Sequence, residues 1–103
     1  MAGTPARTVR LTPAARRDLE AIWDFTAGRW SVAQAETYLR GLSALFGTLA
    51  AFPEVGRERR EITPPVRLHP YRAHLVVYRV ETDQLLIIRV LHGRQNWPAL
   101  LDG

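Results

Sequence analysis

The chain has 103 residues, is 47% hydrophobic and carries a formal net charge of +4. That length predicts one domain with a modest core, and that apolar content excludes a disordered chain. Cysteine is absent, which excludes a disulfide framework and a thiolate metal site. No apolar run approaches the ~20 residues of a membrane span. The opening residues 1–7 lack a signal-peptide core, so a cytoplasmic home is expected.

The cations are all arginines; lysine does not occur. Residues 55–97 hold eight of them (57, 59, 60, 67, 72, 79, 89 and 94) against four acids (58, 61, 81 and 83), while residues 1–54 are nearly balanced. A basic half of this kind suits phosphate or an acidic protein segment, and charge alone does not choose.

In chain order, residues 1–7 are expected to be flexible. Val9-Arg10-Leu11 reads as a short first strand. Thr12 and Pro13 open a helix as N-cap and N1, with Ala15, Leu19, Ile22, Trp23 and Thr26 at helical spacing. Gly28 is expected to break it. Ser31 with Gln34 resembles a capping box for a second helix. That helix carries Ala35, Tyr38, Leu39, Leu42, Leu45, Phe46 and Leu49 and ends near Phe52-Pro53. The tight turn at residues 28–30 makes the two helices an antiparallel hairpin, with Trp23 and Trp30 in its core. Pro53 to Gly56 is a turn, and the mixed charges of residues 57–61 read as solvated. Pro64-Pro65 delays the next strand to about Val66–Leu68, with a break at Pro70. Two apolar runs, Leu75–Val80 and Leu85–Leu91, then flank a polar Glu81-Thr82-Asp83-Gln84 and predict a β-hairpin. Residues 98–103 form a short tail with room for one helical turn. The order is β-α-α-β-β-β in a single domain over residues 1–103, an α+β fold with a helical hairpin on one face of an antiparallel sheet.

The register of the β-hairpin decides which side its arginines take, because a one-residue slip exchanges the faces. A loop of two or four residues puts Arg79 and Arg89 on opposite faces. A three-residue loop groups them with Leu75, Val77, Ile87 and Leu91. It also leaves Val76, Tyr78, Val80, Leu86, Ile88 and Val90 as a charge-free core face. The second register is the expected one. Its mixed apolar and cationic face reads as a partner surface, against the plainer alternative of an outer face with two snorkelling arginines. His69, His74 and His92 supply no coordinated ligand set, so neither a metal nor another cofactor is expected.

Together these pieces resemble the RelE/ParE superfamily of toxins from type II toxin–antitoxin systems, closest to its ParE-like branch. The resemblance runs from Val9 to Trp97. It rests on Leu11–Ile22, the Trp30 turn, the Tyr38 helix, Leu49–Arg57, Arg72, His74, Val76–Arg79 and Ile88–Arg94. It implies the RelE/ParE-like fold and a growth-inhibiting protein with one of two activities. RelE-like members cleave mRNA on the ribosome and are enzymes; ParE-like members poison DNA gyrase and need no hydrolytic constellation. RelE-like ribonucleases place an arginine three residues before the strand tyrosine, where this chain has Leu75. Gly93 occupies their last arginine position, with Arg94 one residue away. Their C-terminal tyrosine is absent, and Trp97 has no acidic proton to give. A ribonuclease here would have to use Arg72, Arg89, His92 and Arg94. The ending Leu91–Trp97 matches ParE better, which favours gyrase inhibition with Arg89, His92, Arg94 and Trp97 as target-binding residues. His92 also reads as a strand-end hydrogen-bonding residue, and Trp97 as tail packing. The resemblance further implies a co-encoded ParD-like antitoxin whose acidic C-terminal segment meets Leu75, Val77, Arg79, Ile87 and Arg89. The alternatives are a RelE-like mRNA endonuclease, or a non-toxic decayed toxin or binding module.

Overall fold

A computed structural model describes residues 7–93 and 98 of the chain. Strand β1 (Thr8–Leu11) leads into helices α1 (Pro13–Arg29) and α2 (Val32–Ala51). A single 3-10 turn (Pro53–Val55) follows, and then strands β2 (Arg57–Arg59), β3 (Val66–Tyr71), β4 (His74–Val80) and β5 (Gln84–His92). The five strands form one sheet in the order β1-β5-β4-β3-β2. The α+β class and the helical hairpin on the sheet are as expected. The sheet is mixed, however, because β1 runs parallel to β5.

The helices begin where their caps place them. The Thr12 hydroxyl oxygen accepts from the Ala15 amide, and that of Ser31 accepts from the Gln34 amide, each at 3.0 Å. The break expected at Gly28 does not occur: α1 continues to Arg29, and the Trp30 amide still donates to the Thr26 carbonyl. One glycine costs a helix only about 1 kcal/mol relative to alanine, too little to end one anchored by packing. Trp30, expected in the core, sits at the C-cap and is 64% exposed.

The charged run after Gly56 also departs from expectation, since Arg57–Arg59 pairs antiparallel with β3. An edge strand tolerates charge because one side meets water, and Glu58 and Glu61 pair with Arg60 and Arg59. β3 does not break at Pro70 but runs through it. β2 reaches only as far as Leu68, so β3 is itself an edge strand from there on. A missing N–H is tolerated at such a position.

The β4–β5 hairpin combines two registers. Beside the turn, Val80 pairs with Leu85 and Tyr78 with Ile87. Ile88 is then an extra residue, and beyond it Val77 pairs with Arg89 and Leu75 with Leu91. A β-bulge of this kind sets two residues against one and changes the phase of the strand. It corrects the expected faces. Leu85 and Ile87 lie in the main core with Val76, Tyr78 and Val90, whereas Ile88 packs on the opposite side. Leu86 pairs with Arg79 on that same opposite side. Pairing still puts Arg79 and Arg89 in phase with Val77.

The main core lies between the sheet and the helices, where Ile22, Leu42, Phe46 and Leu49 meet Val76, Tyr78, Leu85 and Ile87. The other sheet face carries a smaller core of Ile62, Val66, Leu68, Val77 and Leu91. Tyr78 ties the sheet to the turn that leaves α2. Its hydroxyl donates to the Pro53 carbonyl at 2.6 Å and accepts from the Gly56 amide at 3.0 Å. A side chain at residue 56 would collide with that hydroxyl, so glycine is required there.

Candidate functional site

Two of the residues singled out for function, Arg89 and His92, lie at the end of the sheet where β4 begins and β5 ends. α1 is fixed against that end by its own first residues. The Thr12 amide donates to the Ile87 carbonyl at 3.0 Å, and the Thr12 hydroxyl donates to the Ile88 carbonyl at 2.7 Å. β1 pairs only as far as Ile87, which leaves the edge of β5 open beyond it. Asp18 covers that edge. Its Oδ2 accepts from the Val90 amide at 2.9 Å and from Arg89 Nε at 2.7 Å, while Oδ1 accepts from Arg89 Nη2 at 2.9 Å. This is the bidentate carboxylate–guanidinium geometry, among the stronger charge-assisted contacts. Hydrogen bonding to Asp18 raises the Arg89 pKa further above its ordinary value.

Across the strand pair, His74 stands opposite His92. Their rings meet edge to face with centroids 5.6 Å apart. The Tyr38 hydroxyl of α2 lies 2.6 Å from His74 Nδ1, and also 3.4 Å from the Tyr71 carbonyl, to which it donates. Burial, with the neighbouring His92, lowers the His74 pKa, and Asp18 opposes the shift. That direction favours the neutral imidazole. Burial, then Tyr71, raises the Tyr38 hydroxyl above its ordinary value. Between α1 and these strands lies a cleft of about 380 Å³. Ile22, Phe25 and Val90 form apolar walls, and His74, His92, Asp18 and Arg89 supply the polar ones.

The expected site residues are distributed unevenly over this geometry. Arg89 and His92 line the cleft together. Arg72 lies in the β3–β4 turn and lines a neighbouring groove instead, its guanidinium 5.7 Å from the Tyr71 ring centroid. Arg94 and Trp97 lie outside the described residues. Arg79 is at the far end of the hairpin, paired with Glu81 at 3.0 Å. Glu81 also accepts from Gln84, and this bond, followed by the one from Arg79, lowers its pKa. Leu75 is half-buried beside the smaller core. Val77 and Ile87 are fully buried, on opposite sides of the sheet. Neither can offer surface to a partner, and the bulge is what removes Ile87 from the arginine side.

Asp18, Tyr38 and His74 hold the site together, yet none was expected as a site residue: Tyr38 was read as part of a helix stripe and His74 only as part of the family resemblance. A signal existed for Asp18. It follows Ala15 by three residues and precedes Ile22 by four, so a carboxylate sits on the buried stripe of α1 and needs a partner there.

Comparison with known proteins places the chain in a family. The family model for the ParE toxin of the type II toxin–antitoxin system parDE matches residues 9–97. This chain belongs to the ParE toxin family. Toxin ParE1 of Mycobacterium tuberculosis is 44% identical over 87 residues, covering 84% of this chain and 89% of the relative. Toxin ParE1 of Caulobacter vibrioides is 37% identical over 92 residues, covering 89% and 95%. Among solved structures, the chromosomal ParDE TA system from P. aeruginosa contains a chain with a TM-score of 0.71 at 20% identity, covering 84% of this chain and 96% of that one. That likeness concerns the fold. The expected superfamily and its ParE-like branch are thus both met, and this protein is a ParE-type toxin of a type II toxin–antitoxin system. Among its described residues, no helix is long and apolar enough to cross a membrane.

Proposed function

We propose that this ParE-type toxin acts in the cytoplasm by inhibiting DNA gyrase, and that a co-encoded ParD-like antitoxin neutralises it. The observation that carries the reading is the clamp on Arg89. Its guanidinium is already bound in two places by Asp18, so its charge is largely satisfied before any phosphate arrives. A rigid surface of that kind suits docking on another macromolecule. The antitoxin's acidic segment would meet Leu75, Arg79 and Arg89, the accessible members of the expected set. In a supercoiling assay, purified toxin blocks gyrase or traps cleaved plasmid; full gyrase activity at excess toxin rejects the proposal. Arg94→Ala, or truncation before Trp97, is expected to abolish growth inhibition while antitoxin binding, measured by calorimetry, persists.

A second reading, cleavage of mRNA on the ribosome, draws on His74 and His92 standing in one cleft with Arg89, since general acid–base side chains beside a cation are what such cleavage uses. Primer extension on messages from expressing cells decides it: codon-positioned cuts support cleavage, and intact messages reject it.

A further inference from the structure

We propose that the tip of the helical hairpin and the β3–β4 turn form a stacking platform for single-stranded nucleic acid. The platform lies beside the Arg89 cleft, and the proposal does not depend on gyrase being the target.

Trp30 ends α1 with its amide held by Thr26, so its backbone is fixed while its ring stands 64% exposed. Phe25, five residues earlier and lining one pocket with Trp30, is 66% exposed. Contiguous exposed aromatic surface on a small protein marks an interaction site. Between Trp30 and Tyr71 runs a groove of about 360 Å³, within the roughly 300–1,000 Å³ usual for small-ligand sites.

The chemistry of the groove selects its occupant. Each bounding ring carries a guanidinium, Arg29 at 5.8 Å from the Trp30 centroid and Arg72 at 5.7 Å from that of Tyr71. Thr26, Gln34 and Thr37 complete the walls with polar groups, and the lining contains Arg72 and no carboxylate. Aromatic faces with adjacent cations fit a base stacked on the ring and its phosphate on the guanidinium; Asp24 lines the neighbouring pocket with Phe25, Arg29 and Trp30 rather than this groove. A duplex hides its base faces in its own stack, whereas an unpaired strand offers them. Arg72 has a φ of 52°, in the left-handed region where glycine or asparagine is the usual occupant.

Anisotropy of fluorescein-labelled dT12 and rU12 titrated with the purified toxin tests the platform. Binding that falls with salt is expected, and Trp30→Ala weakens it ~10-fold, as loss of a base-stacking ring does. Arg72→Gly suits the left-handed backbone and is expected to give a comparable loss, whereas Arg17→Ala, exposed elsewhere on α1, leaves binding near the parent. Preference for rU12 or dT12 assigns the strand as RNA or DNA. No binding of either oligonucleotide overturns the proposal. So does parental affinity in both Trp30→Ala and Arg72→Gly. So does a concentration-dependent self-association, seen by sedimentation, that Trp30→Ala removes while oligonucleotide affinity stays at the parental value.

Discussion

Arg79 and Arg89 are ten residues apart in one hairpin, and each binds a carboxylate, but the two contacts differ in kind. Arg79 pairs with Glu81, two residues away, beside the hairpin turn. Both side chains are about one-third exposed. Such a pair gains little, because water screens it and two mobile side chains must be ordered to make it. Arg89 pairs with Asp18, 71 residues away, through two hydrogen bonds, and the same carboxylate also binds a strand-edge amide. Their side chains are 26% and 14% exposed. The first contact decorates a turn. The second joins α1 to β5 and shapes the wall of the cleft.

The most damaging way to break the comparison is Asp18→Ala. It leaves the Arg89 guanidinium and the Val90 amide without their acceptor in a partly buried place, with an expected cost of about 2–3 kcal/mol, read from urea unfolding. Thr12→Ala comes next. It removes the N-cap acceptor and the hydroxyl bond to the Ile88 carbonyl, at an expected cost of about 1–2 kcal/mol by the same measurement.

A milder test varies pH at the cleft end. The folded His74 pKa lies below the ordinary imidazole value of 6.5, so the unfolded chain binds the proton more readily. This contribution to stability is present in full above pH 6.5 and declines as the pH falls from there through the folded pKa. His74→Gln is expected to flatten that decline in unfolding midpoints recorded between pH 7.5 and 5. Arg79→Ala should do least, with an unfolding midpoint close to the parent's. A large loss there would erase the distinction between the two ends.

Much of the fold was legible from local signals. Thr12, Ser31 and Gln34 mark helix starts through short-range hydrogen bonds, and apolar residues at three- and four-residue spacing mark the buried stripes. The strands were legible where they are apolar. Where they are charged or contain proline, as at Arg57–Arg59 and Pro70, local preference pointed away from the sheet, and edge position overrode it. Trp30 was misplaced because its type suggests a core that its position at the helix end denies. Of the site, Arg89 stood out in the strand pattern and His92 came with the family resemblance, while Asp18 and Tyr38 were not found, since their partners lie 71 and 36 residues away.

By itself, the sequence determined two capped helices and an apolar hairpin, because these depend on residue type and short spacing, and it carried a resemblance to the ParE-like toxins that the family comparison then bore out. Tertiary structure alone decided the parallel pairing of β1 with β5, the bulge at Ile88 that returns Ile87 to the main core, and the clamp of Asp18 on Arg89. The first and last of these join segments distant in the chain, and side-chain phase across the bulge is fixed only when both faces of the sheet are packed.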